Sequence, residues 1–259
     1  MNDFSTIQWA VLMVGSFIMG LSKGGIPGAG NLTVALFVLV LEDALGSRGV
    51  ALSVGLLLPV LISADLVSTI VYRKHAQWNY IRVLLPYFFV GVIAGWWAFD
   101  FFQQPDKATS LMNLIGIILL SMTAIRILAN EATIDSFLNH SKASGLVAPF
   151  LGVLGGMATM LANAAGPIAQ FYLLAMKLPK YTFIGTSAWL FLIINISKVP
   201  FMCELGILNG KVFFCALWLI IPAMIGALIA PRLVNLIRQD WFERLIWFFI
   251  IVAGVRMIL

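Results

Sequence analysis

Gly20-Leu21-Ser22-Lys23-Gly24-Gly25-Ile26-Pro27-Gly28-Ala29-Gly30-Asn31 interrupts an apolar run near the start of the chain, and a second interruption recurs in the other half, from Gly152 through Ala162-Asn163-Ala164-Ala165-Gly166-Pro167. A short apolar stretch follows each one before the next polar loop. Glycine permits positive φ and close backbone approach, and proline cannot donate a helical hydrogen bond, so helix is expected to stop at both. Irregular backbone at bilayer depth survives only where protein or a water-filled cavity surrounds it. Paired interruptions in two halves of such a chain point to a transport site.

The membrane assignment rests on composition. The 259 residues are 61% hydrophobic and only 10% charged, with mean hydropathy +1.01, more apolar surface than a soluble fold can hide. Runs long enough to cross a hydrocarbon core of about 30 Å as helix are read near 50–72, 83–102, 109–129, 182–203, 211–234 and 241–259. Two more, near 5–22 and 144–162, precede the interruptions, and short pieces near 31–41 and 165–177 follow them. The runs lack the alternation of transmembrane strands. Residues 1–6 carry no basic stretch, so the first run is expected to be retained rather than cleaved. Cys203 and Cys215 lie in or beside spans and read as core residues, not a disulfide or metal site. The net charge of +5 is spread over interhelical loops, which argues for topology and anionic headgroups and against nucleic acid.

Loop charge decides how the interruptions thread. If each interrupted element crosses once, the loop cations divide seven against seven. If each goes in and returns, Arg73, Lys74, Arg82, Arg126, Lys142, Lys177, Lys180, Arg232, Arg238 and Arg244 share one side, and Arg48, Lys107, Lys211 and Arg256 the other, ten against four. The positive-inside rule favours the second threading. It makes the fold an all-α polytopic membrane protein of two inverted repeats, each a broken or re-entrant first element followed by three transmembrane helices, with both termini outside. The repeats are expected at 1–130 and 144–259, joined by a loop at 131–143. An offset of 132 residues superposes Gly20 on Gly152, Gly24 on Gly156, Asn31 on Asn163 and Arg48 on Lys180.

A helix restarting near Asn31 or Ala164 would aim unpaired backbone N–H groups and a positive dipole end into its break, which suits a small oxyanion. Packing of small residues is the competing role for Gly152, Gly155 and Gly156. Ser22, Lys23, Gly24, Gly25, Asn31, Thr159, Asn163, Ala164 and Gly166 are therefore the expected substrate contacts. Lys23 is the cation best placed to attract an anion. Asp65 and Lys198 also lie away from obvious loops, where a charge costs at least about 2.5–3.5 kcal/mol and normally faces a cavity or a partner. They are the expected coupling or gating residues, with Asn195 and Ser197 beside Lys198; pairing with a lysine is the plainer and slightly favoured role for Asp65. Thr186, Ser187 and Gln170 are further donors, each also able to serve as an interhelical hydrogen bond. The sequence has no G-x-S-x-G, H-E-x-x-H or Walker lysine loop and no carboxylate pair in the spans, so an enzyme is not expected. No motif calls for a cofactor or a metal.

The stretches Gly20-Leu21-Ser22-Lys23-Gly24-Gly25, Ala162-Asn163-Ala164-Ala165-Gly166-Pro167-Ile168-Ala169-Gln170-Phe171-Tyr172-Leu173-Leu174, Leu178-Pro179-Lys180-Tyr181-Thr182-Phe183-Ile184-Gly185-Thr186-Ser187-Ala188 and Asp65 to Trp78 resemble the sulfite exporter TauE/SafE family. The resemblance runs over essentially the whole chain. It implies a multi-pass transporter of the bacterial inner membrane that moves a small sulfur-containing anion such as sulfite or an organosulfonate. A channel for small anions, or a carrier of another small organic anion, is the alternative. The expected partners are the anionic substrate, membrane lipid and a coupling proton or sodium ion; the coupling ion and the oligomeric state stay open at this point.

Overall fold

Ser5 starts the first helix with a capping box: its hydroxyl accepts from the Gln8 amide while the Gln8 side chain accepts from the Ser5 amide. The helix runs until Gly24, beyond which Gly25 takes φ +126°, a conformation that favours glycine. The computed structural model describes residues 4–26, 29–104, 107–128, 144–176, 178–233 and 255. Within them the chain is helical and holds no strand: α1 (Thr6–Lys23), α2 (Ala29–Leu45), α3 (Ser47–Val71), α4 (Trp78–Phe102), α5 (Ala108–Leu128), α6 (Ser144–Ala162), α7 (Gly166–Ala175), α8 (Lys180–Glu204) and α9 (Gly210–Leu233), with a 3₁₀ turn at Arg73–His75. These match the apolar runs of the sequence within a few residues. The expected span at 241–259, the loop at 131–143, Pro27, Gly28 and the loop cations Lys142, Lys177, Arg238, Arg244 and Arg256 lie outside the described residues.

Among the described helices α1, α3, α4, α8 and α9 are long and apolar enough to cross a membrane. Their outer faces carry large exposed apolar side chains, including Ile70, Trp97, Phe214 and Trp218, as expected of a polytopic membrane protein whose solvent is lipid. The core sits around α3, buried along most of its length, with Phe37, Phe88 and Phe99 packed into it from α2 and α4. Cys215 is buried on α9, but Cys203 is exposed near the end of α8, so only one of the two is a core residue.

The interruptions are narrower than the glycines indicate. Gly152, Gly155 and Gly156 lie inside α6, and the second break is only the Asn163–Ala165 segment before α7. The reason is packing. A Cβ on Gly156 would stand 2.2 Å from the Phe88 carbonyl oxygen, and one on Gly152 would stand 2.4 Å from the Tyr87 Cβ. Bare backbone here lets α6 lie against α4 as small residues do between membrane helices. Gly20 does the same for α1 against α9, where a Cβ would stand 2.0 Å from the Ala223 carbonyl oxygen. The match of Gly20 with Gly152 and Gly24 with Gly156 is therefore a match of packing surfaces. Asn31 and Asn163 are not matched in position: Asn31 is the third residue of α2, while Asn163 forms the second break itself.

These contacts also set direction. Gln8 donates to the Asp43 carboxylate at 2.9 Å and Thr33 donates to the Gly15 carbonyl at 2.8 Å, so α1 and α2 run side by side, antiparallel. Rising residue numbers meet along α1 and α9 (Phe17 with Gly226, Gly24 with Ala230), and along α4 and α6 (Leu84 with Gly152, Gly95 with Met160), so each pair is parallel. One end of the bundle gathers the Arg73–His75 turn, the start of α8 and the end of α9. There the His75 ring lies 5.8 Å from that of Tyr181, the Gln77 amide donates to Thr186 Oγ1 at 3.0 Å, and Ala230 packs with Leu21 and Ile26. Arg73, Lys74, Lys180 and Arg232 share that end; Arg48, at the start of α3, and Lys211, at the start of α9, are at the other.

Candidate functional site

Each break ends a helix with its own hydrogen bonds. At the first, the Gly24 amide donates to Gly20 at 2.9 Å and the Ile26 amide to Leu21 at 3.0 Å, closing the last turn of α1. Tyr72, just past α3, donates its hydroxyl to the Gly24 carbonyl at 2.9 Å and fixes the break from the positively charged end. At the second, Asn163 takes a left-handed φ of +52°, a conformation asparagine tolerates better than most side chains. Its amide donates to Thr159 at 3.0 Å, and the Ala164 amide to Ala158 at 3.3 Å.

Between the breaks lies a cavity of about 250 Å³. Its wall takes Ser22, Lys23 and Gly25 from the first break, Gly30 and Asn31 from the opening turn of α2, and Asp65 from α3. Thr159, Asn163, Gly166 and Gln170 come from the second break and its helices. α8 supplies Asn195, Phe191 and Ser187 and continues the wall as far as Lys180, its first residue, so the cavity reaches from mid-depth to the end that holds Arg73 and Lys74. Of the expected contacts, Ser22, Lys23, Gly25, Asn31, Thr159, Asn163 and Gly166 are brought together here, with Asp65 beside them. Gly24 and Ala164 stand outside the wall: Gly24 faces Ala227 and Ala230 of α9, and Ala164 is fully buried.

A polar chain crosses the middle of the molecule from one break to the other. Lys23 Nζ lies 2.9 Å from one Asp65 oxygen and 3.2 Å from the other, and 4.3 Å from the centre of the Phe191 ring. Asn195 donates its side-chain amide to Asp65 at 2.7 Å. Lys198 Nζ donates to Asn195 Oδ1 at 3.4 Å, to Asn163 Oδ1 at 2.5 Å, and to Thr159 at 2.7 Å (carbonyl) and 3.2 Å (hydroxyl). Asn163 in turn donates to the Val54 carbonyl at 2.9 Å. Asp65 and Lys198 are both fully buried, and each occupies the nineteenth position of a helix of 25 residues, α3 and α8.

Asn31 and Ser187 line the cavity, and their buried side-chain atoms Nδ2 and Oγ have no hydrogen-bond partner among the described residues. An unsatisfied buried donor costs about 1–3 kcal/mol, a cost that a ligand or water reaching it would relieve. Both residues share the cavity wall with Lys23 and the first turn of α2, whose amides have no partner within the helix. Asp65 is the one carboxylate in the wall, and Lys23 neutralises it. What remains is a surplus of donors, with Lys180 as a further cation at one end of the wall, a lining that can hold a small anion. Sequence reasoning found Lys23, Asn31 and Asn163 from the interruptions. It missed Phe191 and Gly30, and gave Ser187 and Lys180 no special weight, because nothing local marks a residue of an unbroken helix as facing a cavity.

In a comparison with family models, residues 12–257 match the family described as Sulfite exporter TauE/SafE. No curated protein and no solved structure matches the chain.

Proposed function

The chain belongs to the sulfite exporter TauE/SafE family, and from that premise we propose that it is a secondary transporter that exports a small sulfur-containing anion, sulfite or an organosulfonate, through the cavity between its two breaks. Membership supports membrane transport of a sulfur anion. The observation that carries the finer reading is one cavity lined by Lys23, by the start of α2, and by Asn31 and Ser187, whose side-chain donors lack partners among the described residues. An oxyanion with three acceptor oxygens offers partners to donors of this kind. Hydrogen bonds involving a charged partner are worth about 1.5–3 kcal/mol each, enough together to strip a small anion of part of its hydration.

Two inverted halves, 1–130 and 144–259, account for the packing. The antiparallel course of α1 and α2, the parallel pairs α1 with α9 and α4 with α6, and the equal stations of Asp65 and Lys198 all fit a two-fold axis in the membrane plane. The end shared by Arg73, Lys74, Lys180 and Arg232 is then the cytoplasmic one by the positive-inside rule, and both termini are outside. The cavity reaches toward that end, as an exporter loading its cargo from the cytoplasm of a bacterial inner membrane requires. Rocking of one half against the other alternates access, with Asp65 and Lys198 at the pivot between the breaks. Transport, not catalysis, is the activity assigned.

The test is a thermal-shift series with detergent-purified protein, followed by efflux from proteoliposomes. Binding to the folded state raises stability by about 2.7 kcal/mol at a hundredfold excess over Kd. Sulfite or a short sulfonate is expected to raise the unfolding temperature and to leave the vesicles in a saturable, gradient-coupled manner. An ohmic current would replace the carrier with a channel, and no shift with any anion would overturn the substrate class.

A further inference from the structure

Among the described residues Lys198 is the only fully buried cation, and the four oxygens around its ammonium are all neutral: the carbonyl and hydroxyl of Thr159, Asn163 Oδ1 and Asn195 Oδ1. Thr159 is in the last turn of α6, so the ammonium also faces the negative end of a helix that stops inside the membrane. Hard neutral oxygens at the C-terminal end of a broken helix are the chemistry that binds a sodium or potassium ion in carriers built from discontinuous helices. Here the position is filled by a side chain tethered to α8. The equivalent station in the other half is Asp65, which instead receives the ammonium of Lys23.

We infer that Lys198 is a built-in cation occupying the position that a diffusible alkali cation would take, so that the second break is held to α8, and the anion cavity kept formed, without sodium or potassium. A charge enclosed at this depth is costly unless its partners compensate it, and a packing role alone would be met at lower cost by an apolar side chain of the same length. The ammonium supplies three donors to Thr159, Asn163 and Asn195, and through Asn195 reaches the carboxylate that holds the first break. The inference rests on the anion reading for its purpose but not for its test.

The variants Lys198→Ala and Lys198→Met separate the cation from the volume. Purified proteins are unfolded thermally, with no sulfite present, in the chlorides of choline, sodium, potassium and methylammonium. Lys198→Ala leaves an oxygen-lined hole and is expected to gain about 3 °C or more in methylammonium or an alkali cation over choline. Wild type, whose site is filled, and Lys198→Met, whose thioether stem fills the hole, are expected to be indifferent to the cation. A Lys198→Ala protein that ignores every cation would overturn the inference. If that variant does not fold, the cation dependence of wild-type efflux decides it: equal rates in sodium, potassium and choline support the built-in cation, and a requirement for sodium or potassium contradicts it. A sulfite shift in wild type, read separately, reports on the anion site alone.

Discussion

The two breaks stop a helix inside the membrane by similar means but surround the stop with different chemistry. The first is a glycine break beside an ion pair, Lys23 with Asp65, in which the lysine is partly exposed to the cavity. The second is an asparagine break beside an enclosed ammonium, Lys198, with neutral oxygens only. Asp65 and Lys198 each stand nineteenth in a helix of 25 residues, so the same position along α3 and α8 carries an acid in one and a base in the other. What the halves share is the packing surface, Gly20 against α9 and Gly156 against α4; what they do not share is the polar lining. Close helix contacts are what the surroundings of the two breaks have in common.

The comparison breaks most visibly at the ion pair. Lys23→Met leaves the buried Asp65 carboxylate with Asn195 but no cation, a loss of about 3–5 kcal/mol for a buried pair with one partner removed, checked by unfolding in detergent. The double variant Lys23→Met/Asp65→Asn is expected to recover much of that stability while losing anion binding. Sulfite binding equal to wild type in the double variant would remove the first break from the site. Next in size, Gly20→Ala and Gly156→Ala each force two helix backbones apart, at about 1–3 kcal/mol. Losses of similar size sharpen the equivalence of the halves; a loss at only one position breaks it. Tyr72→Phe removes the hydroxyl that holds Gly24 and is expected to cost about 1 kcal/mol, with sulfite affinity falling because the break loosens. Smallest for stability is Ser187→Ala. Its hydroxyl oxygen has no partner among the described residues, so the unfolding temperature should hold while sulfite binding weakens about three- to tenfold.

The sequence made most of the architecture legible because the lipid imposes a simple pattern: apolar runs of the right length, ended by polar loops, gave α3, α4, α5, α8 and α9 within a few residues. The breaks were legible in place but not in extent. Gly152, Gly155 and Gly156 read as an interruption, yet they lie in continuous helix, since glycine at a tight crossing and glycine at a helix end look alike in one dimension. The same ambiguity put Gly24 among the expected contacts, where the structure turns it toward α9. Lys23, Asp65 and Lys198 were legible because charge is rare in these spans. That Asp65 pairs with a lysine was legible too; which lysine was not, since Lys23 to Asp65 spans 42 residues and Asn195 to Asp65 spans 130. Ser187 and Phe191 reach the cavity only through the rotation of α8, which an apolar helix buried on several sides does not reveal by its period.

The central claim is that one cavity between the breaks receives the anion, and an anion visible to X-rays tests it most directly. Selenite, the selenium analogue of sulfite, soaked into crystals of the protein and located by anomalous scattering at the selenium edge, is expected to give a peak within hydrogen-bonding reach of Lys23 Nζ and Asn31 Nδ2. An empty cavity, with selenium only at the surface cations Arg73 and Lys74, would contradict the account.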